Sequence, residues 1–305
     1  MINQKDFNLA SIDVGSNASR LLIKNVGIDL EGDIKMRKEL FLRVPLRLGM
    51  EVFKNGEISE YKEDQFMHTM KAYKQLMKVF HVHSHRACCT SAMRDAKNGK
   101  KVLADINKET GLGLEIISGD EESQIIYDSH LSLFQGKGNF LYVDVGGGST
   151  EIVFISDGDR RLEHSYNIGT IRLLDGAVKK SETHRLREEL SDACKDISDI
   201  EIIGSGGNIN KLYRIASNRE KKAGVLPVAT LKKLHEKLSK MSVEERMNEY
   251  DMKPDRADVI VPAAEIFMLV AESVGAELIR VPNLGLVDGL INEMANKIKA
   301  EKFKG

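Results

Sequence analysis

Apolar and polar positions follow two different periods along the chain, and the changes between them predict its secondary structure. Residues 7–28 predict two short strands joined by a glycine-containing turn at 15–17. Strand-like sequence follows at 39–48, and apolar residues then recur at steps of three and four over 59–80, which predicts a helix. Strands and helices continue to alternate as far as residue 132. This alternation favours an α/β fold built on a mixed sheet.

The strand–turn–strand pattern starts again at residues 139–156. Helical patterns follow over 170–196, 228–250 and 256–274, and the segment ending in "LVDGLINEMANKIKA" predicts a last helix. The restart is an internal repeat, because at a constant offset of 131 residues Asp13 overlays Asp144 and Arg20 overlays Glu151. A repeat of this kind predicts two similar halves that face each other, with both glycine turns at one cleft.

The domain boundary is placed where the pattern restarts. We expect residues 1–127 to form the first domain, which the C-terminal helix at 288–305 could rejoin, and residues 128–305 to form the second.

Composition excludes several classes of protein. An apolar content of 42% and a charged content of 30% are typical of a soluble protein, and a net charge of −1 gives no general basic field for nucleic acid. The most apolar late stretch, 259–274, is interrupted by Pro262 and Glu265 and is too short to span a membrane. Three cysteines without a disulfide or zinc pattern suit a reducing compartment. We therefore expect a cytoplasmic protein that binds neither membrane nor nucleic acid.

The two repeated turns have the chemistry of a phosphate site. Glycines after a strand let backbone N–H groups converge on an anion, and hydroxyl and amide side chains add donors. The aspartate before each turn can hold a divalent cation that bridges to phosphate oxygens. The alternative is a pair of tight hairpins whose polar residues only satisfy the turn backbone. Two such turns in register favour the site for phosphate and magnesium.

A third glycine turn, "IIGSGGNINKL" at 202–212, precedes a predicted helix. Helix N-termini attract anions, but this turn matches neither the P-loop nor the G-x-G-x-x-G fingerprint. Taken alone, an ordinary strand-to-helix turn is favoured.

The segment "LEIISGDEESQII" contains a cluster of carboxylates, of which Glu121 and Glu122 open a helix. A carboxylate facing bound phosphate could take a proton from attacking water as a general base. Ser118 and Glu121 also fit the S-x-x-E pattern of a capping box, which residues alone would favour.

The segment "CTSAMRDAKNG" offers Thr90, Ser91 and Arg94 as anion donors, or else an N-cap and a solvated arginine. The histidines of "HVHSHR" at 81–86 resemble a metal site, but a solvated loop is favoured because no supporting acid accompanies them.

Taken together, "IDVGSNASRLLI", "CTSAMRDAKNG", "IISGDEESQIIY", "VDVGGGSTEIV", "NIGTIRL" and "GSGGNINKL" resemble the exopolyphosphatase/guanosine-pentaphosphatase (Ppx/GppA) family. The motifs occur in the family's order and cover nearly the whole chain. The resemblance implies a two-domain actin/sugar-kinase/Hsp70-like (ribonuclease H-like) fold with duplicated mixed sheets and an interdomain cleft. It also implies release of terminal phosphate from inorganic polyphosphate or guanosine pentaphosphate with Mg²⁺ or Mn²⁺, and a homodimer.

The resemblance assigns roles to individual residues. The catalytic glutamate falls on Glu121, and the metal-associated acid on Glu151, with Asp144 beside it and Asp13 assisting. From the resemblance and the glycine turns together, the predicted phosphate-binding residues are Gly15, Ser16, Asn17, Arg20, Ser91, Arg94, Gly146, Gly147, Gly148, Ser149, Gly206, Gly207 and Arg256.

The sequence departs from the family at Ala18, where a serine is usual, and at Val287, where an arginine is usual. It also has no His-Asp motif of the longer members, and so resembles the short two-domain form. Two alternatives stay open: an ATP-dependent kinase of the same fold, and a non-hydrolytic sensor that binds polyphosphate or guanosine tetra- or pentaphosphate. The residues do not choose between polyphosphate and guanosine pentaphosphate.

Overall fold

The structure is a computed structural model that describes residues 6–130, 138–216 and 224–302. These residues divide into two compact units. One contains the described residues up to Ser118 and from Leu286 onward, and the other is Gly119–Gly285. The boundary that the repeat places between residues 127 and 128 stays a prediction.

The first unit is built on a five-stranded mixed sheet of order β3-β2-β1-β4-β5. Strands β1, β2 and β3 form antiparallel pairs, whereas β4 and β5 continue the sheet in parallel with β1. The strands are β1 Phe7–Val14, β2 Ser19–Ile28, β3 Ile34–Val44, β4 Val82–Cys89 and β5 Glu115–Ile116.

Helices cover both faces of this sheet. Four of them are α1 Leu48–Asn55, α2 Glu60–Val79, α3 Ser91–Asp95 and α4 Gly99–Thr110, and the last helix of the described chain is α13 Leu286–Lys302. The predicted apolar stripe of α2, which includes Phe66 and Met70, packs with Ile12 of β1 in one core. Residues of α13, such as Ile291, pack with Leu22 on the opposite face. Successive side chains of a strand alternate between faces, so each apolar set has its own helical partner.

The second unit repeats this plan with one strand added. Its six-stranded sheet has the order β10-β11-β9-β6-β7-β8, in which β6, β7 and β8 are antiparallel and β9 runs parallel to β6. The strands are β6 Asn139–Val145, β7 Thr150–Ser156, β8 Asp159–Tyr166, β9 Ile200–Ser205, β10 Val225–Pro227 and β11 Leu278–Arg280. The arrangement around β6 matches that around β1, so the predicted α/β fold with duplicated mixed sheets is confirmed.

The helices of the second unit are α5 Gly119–His130, α6 Thr170–Leu174, α7 Lys180–Ala193, α8 Gly207–Ile215, α9 Val228–Ser239, α10 Val243–Tyr250, α11 Pro254–Ala257 and α12 Ile260–Val274. The apolar helix α12 lies in the main core of this unit, where Phe267 packs with Val143 and Phe154 of the sheet. Tyr127 of α5 instead contacts Tyr142, on the other face of the sheet, edge-on at 5.8 Å between ring centroids. Across the described ranges, no helix is long and apolar enough to cross a membrane.

The structure corrects three local predictions. The histidine segment at 81–86 lies largely in β4 and is not a solvated loop, and His85 Nε2 lies 2.9 Å from the carbonyl oxygen of Leu112. The strand-like stretch at 39–48 ends at Val44, because α1 begins at Leu48. Strand β8 was not predicted, since its polar sequence "DRRLEHSY" lacks an apolar alternation.

Candidate active site

The internal repeat is reproduced in the register of the strands. Asp13 lies opposite Arg20 in the β1–β2 pair, and Asp144 lies opposite Glu151 in the β6–β7 pair. Residues directly opposite each other in an antiparallel pair share a face of the sheet, with Cβ atoms about 5 Å apart. The overlay of these residues at an offset of 131 is therefore confirmed as a structural equivalence.

In the first unit the equivalent pair is an ion pair. The Arg20 guanidinium donates a hydrogen bond to the Asp13 carboxylate, whose side chain is 4% exposed against 29% for Arg20. A buried carboxylate needs such a partner, and Arg20 supplies it. This contact accounts for the burial of Asp13 without a metal, and the assisting metal role of Asp13 stays a prediction.

The first glycine loop is a closed hairpin held by α1. The Gly15 N–H donates to the Ala18 carbonyl oxygen at 3.1 Å, and the Gly49 N–H of α1 donates to the Ser16 carbonyl oxygen at 2.9 Å. The hairpin interpretation is thus correct for the local structure, and it leaves phosphate binding open. Ala18 is only 1% exposed, so this departure from the family fills a buried position with a methyl group.

Three of the predicted phosphate-binding residues lie near the carboxyl ends of the parallel strands β1, β4 and β5. Ser16, after β1, and Ser91, after β4, lie with their hydroxyl oxygens 2.8 Å apart, and both are buried. Arg94 Nη1 donates to the carbonyl oxygen of Ile117, just after β5, at 2.8 Å. Thr90 occupies the N-cap of α3, but its side chain makes no cap hydrogen bond. The N-cap position predicted for Thr90 is therefore correct, although its hydroxyl does not cap the helix, and Arg94 is half-buried and not a solvated surface residue.

The second glycine loop is fixed through its carbonyl oxygens. The Gly146 N–H closes the loop onto the Ser149 carbonyl at 3.0 Å, and the Thr170 N–H donates to the Gly146 carbonyl at 3.0 Å. The Ile171 N–H donates to the Gly147 carbonyl at 2.8 Å. Arg172 Nε completes the set with a 2.8 Å hydrogen bond to the Gly148 carbonyl. The first turn of α6 thus determines the conformation of this loop.

Gly169, which precedes α6, allows this close contact. A Cβ atom at Gly169 would lie only 2.4 Å from the backbone N and C atoms of Gly148. Gly169 and Arg172 were not predicted as site residues, although both lie in the motif "NIGTIRL". Their role depends on a tertiary contact with Gly147 and Gly148, which sequence spacing does not reveal.

The second unit places two carboxylates together beside this loop. Glu151 is 3% exposed and accepts a 2.8 Å hydrogen bond at Oε1 from the Ser165 hydroxyl. A Cβ atom at Gly206 would lie 2.9 Å from Asp144 Oδ1, and Gly206 has a φ of +100°, so only glycine suits this approach. Like charges directly opposite each other are destabilising unless a cation or a shared proton relieves them.

The donor set of Asp144 and Glu151 fits a magnesium-type site. Mg²⁺ commonly takes one or two carboxylates and completes its shell with water and substrate phosphates. Within the described residues, no group of three or more His, Cys, Asp or Glu side chains could hold a metal ion.

The third glycine turn lies beside a basic residue. A Cβ atom at Gly207, the first residue of α8, would lie 2.9 Å from Nη2 of Arg256 in α11. The structure therefore brings together Gly206, Gly207 and Arg256, which lie far apart in sequence, and the absence of a side chain at Gly207 gives the guanidinium its space.

Glu121 lies in the first turn of α5 and is exposed, whereas its neighbour Glu122 is buried. The helix is anchored to β8, since the Arg160 guanidinium lies 4.8 Å from the Tyr127 ring centroid and donates to Gln124 Oε1 at 2.8 Å. An exposed carboxylate on an anchored helix is accessible to a water molecule, as a general base must be. Glu121→Gln decides between the base and the capping box, because glutamine can cap a helix but cannot accept the proton.

The carboxylate pair lies on the sheet face that α5 covers. Asp144 is two residues from Tyr142 on β6, and residues at this spacing share a face. Tyr142 packs with Tyr127 of α5. The helix that carries Glu121, the pair of acids and the second glycine loop therefore all belong to one compact unit.

The family model for the Ppx/GppA phosphatase family matches residues 40–298. The chain belongs to the Ppx/GppA phosphatase family. The resemblance predicted from the motifs is thus confirmed. The resemblance predicted an arginine at position 287, where this chain has Val287. Here that side chain is 6% exposed and packs with Leu22 and Ile291 between α13 and the first sheet, so the position serves the core.

Three relatives show how far the similarity extends. The exopolyphosphatase 2 of Mycobacterium tuberculosis is 28% identical over 94% of this chain and 98% of its own length. A guanosine-5'-triphosphate,3'-diphosphate pyrophosphatase of Aeromonas hydrophila is 22% identical over 92% of this chain and 58% of its own. A bifunctional 3-dehydroquinate synthase/phosphatase of Fusobacterium nucleatum is 27% identical over 96% of this chain. The chain spans 48% of that relative, about half its length.

Solved structures share the fold. The crystal structure of the Aquifex aeolicus Ppx/GppA family member superposes with a TM-score of 0.74 at 28% identity, and covers 96% of this chain and 99% of its own.

Proposed function

We propose that this protein is a hydrolase that releases terminal phosphate from inorganic polyphosphate, from guanosine pentaphosphate, or from both. The observation that carries the proposal is the shared sheet face: the half-buried Asp144 and the buried Glu151 lie on the face that α5, the helix of Glu121, covers at Tyr142. Family membership and relatives named as an exopolyphosphatase and as a guanosine-5'-triphosphate,3'-diphosphate pyrophosphatase support it.

The glycine loops supply the anion-binding groups. In each unit the backbone N–H groups of a loop and an adjacent hydroxyl, from Ser16 or Ser149, would bind phosphate oxygens. Arg20 and Arg94 in the first unit, and Arg256 in the second, would add charge-assisted hydrogen bonds to phosphate held by their own unit. Because carbonyl oxygens of the second loop are already bound to α6, this loop is preorganised and needs little rearrangement when phosphate binds.

Glu121 would act on the attacking water. As a general base it would orient the water molecule in line with the terminal phosphorus and accept its proton. Asp144 and Glu151 would hold the metal ion, which when bound as Mg²⁺ or Mn²⁺ would neutralise negative charge on the phosphate oxygens.

Phosphate release is the measurement that tests this function. The protein is assayed with polyphosphates of several lengths, guanosine pentaphosphate and ATP, each in the presence of Mg²⁺, Mn²⁺ or EDTA. We expect release that depends on metal and needs no acceptor. Transfer from ATP to an acceptor would instead identify a kinase. Binding of these compounds without any release would identify a sensor, and both outcomes would refute the proposal.

The proposal includes a cytoplasmic location and a homodimer. Cys88, Cys89 and Cys194 are free and buried, in accord with a reducing compartment. Light scattering after size-exclusion chromatography would give the mass in solution, and a monomer at all concentrations would refute the dimer.

A further inference from the structure

Strand β8 places a further side chain beside the paired carboxylates of Asp144 and Glu151. Ser165 lies opposite Glu151 in the β7–β8 pair, and Ser205 lies beside Asp144 in the β6–β9 pair. The row across four strands therefore carries two acids with a serine at each end. In the first unit the equivalent positions hold Arg43, Arg20, Asp13 and Cys88.

The two serines of this row differ in their hydrogen bonds. Ser165 Oγ lies 2.8 Å from Glu151 Oε1, whereas Ser205 Oγ donates to the carbonyl oxygen of Leu284 at 3.0 Å. In the first contact the hydroxyl of Ser165 is the donor and the Glu151 carboxylate accepts. The equivalent neighbour of Arg20 is Arg43, which carries no hydroxyl, so a hydroxyl donor at this position distinguishes the second unit from the first.

We infer that Ser165 is a positioning residue for the metal site proposed at Asp144 and Glu151. Its hydrogen bond fixes one oxygen of the Glu151 carboxylate, and thereby sets the rotation of the carboxylate and the direction of Oε2. Glu151 is almost fully buried, so water does not readily replace this donor. Loss of an outer partner of a metal-binding carboxylate costs about 10–100-fold in metal affinity. This inference rests on the proposed function.

The test measures metal binding directly. Free Mn²⁺ is followed by electron paramagnetic resonance in titrations of the full chain, with and without inorganic phosphate and without a hydrolysable substrate. We expect Ser165→Ala to weaken Mn²⁺ binding at least about 10-fold. Ser165→Thr keeps the hydroxyl on a strand that tolerates β-branched residues, so it should stay within about threefold of the wild type.

Ser156→Ala is the matched control, because Ser156 also lies on this sheet and makes a 2.8 Å hydrogen bond, in its case to Asn139 Oδ1. Its Mn²⁺ affinity should equal that of the wild type. Glu151→Gln should abolish tight binding and so shows that the titration reports on this site.

Each remaining outcome decides against the inference in a distinguishable way. Normal Mn²⁺ binding by Ser165→Ala, together with loss in Glu151→Gln, would refute the role of Ser165 and leave the metal site standing. Equal weakening in Ser165→Thr and Ser165→Ala would show that the hydroxyl is not the cause. Equal binding by the wild type and Glu151→Gln, or none by either, would refute the metal site and the inference with it.

Discussion

Gly169→Ala tests whether α6 determines the conformation of the second glycine loop. Gly169 has φ −134° and ψ 162°, an extended conformation that alanine adopts without strain. The added methyl carbon would nevertheless lie 2.4 Å from two backbone atoms of Gly148. Ordinary van der Waals contact begins at 3.4 Å, so the loop and α6 must separate by 3.4 minus 2.4, or about 1 Å.

This displacement should reduce activity more than stability. Overpacking of this kind costs about 1–3 kcal/mol, which leaves a domain of ordinary stability folded. A misplacement of about 1 Å in a catalytic site can cost about 100-fold in rate. We therefore expect kcat/KM for phosphate release to fall by roughly 100-fold, with a folded protein and a modest loss in urea stability.

The assay compares phosphate release and urea unfolding for the wild type, Gly169→Ala and Gly285→Ala. Gly285 has no positive φ, and a Cβ atom there would meet nothing within 4 Å, so its variant controls for the glycine-to-alanine change itself. If Gly169→Ala retains activity within twofold of the wild type, the contact between α6 and the loop does not set the phosphate site.

Three further predictions concern single residues. Glu121→Gln should keep the far-ultraviolet circular dichroism of the wild type and lose about 10²–10⁴-fold in kcat, and full activity would refute the general base. Arg20→Gln should lower the free energy of unfolding, measured in urea titrations, by about 2 kcal/mol. This is less than the roughly 3–5 kcal/mol of a fully buried ion pair, because the Arg20 side chain is 29% exposed. Adding Asp13→Asn should restore part of the lost stability, because it removes the unpaired carboxylate. Burial raises the pKa of Cys194 from 9.0 to about 11, so between these pH values the unfolded chain loses its proton first and stability should fall with rising pH. Urea titrations at pH 8 and 10 should show a smaller fall for Cys194→Ala, and an equal fall would contradict the shift.

The sequence predicted those features that depend on local pattern. The strands beside both glycine turns and the stripe of α2 follow from periodicity, and the equivalence of Asp13 with Asp144 and of Arg20 with Glu151 follows from the repeat. Ala18 and Val287 were recognised as departures, but their burial explains them only when the packing is known.

Features that depend on contacts between distant segments were not predicted. Strand β8 has a polar sequence because it is an edge strand, yet it supplies Ser165 to Glu151. Gly169 is one glycine among 25, and only its distance to Gly148 distinguishes it. Arg256 reaches the third glycine turn across about 50 residues of sequence, a separation too long for spacing rules to detect.

The first unit is assembled from both ends of the described chain, and this has a consequence for its synthesis. A ribosome completes β1 to β5 long before it makes α13, so Leu22, Val26 and Ile28 have no helix to cover them while Gly119–Gly285 is being translated. The second unit, continuous in sequence, can fold first. During that interval the uncovered strands would need a chaperone or rapid elongation to avoid aggregation, and slow codons placed before α13 should lower the yield of native protein.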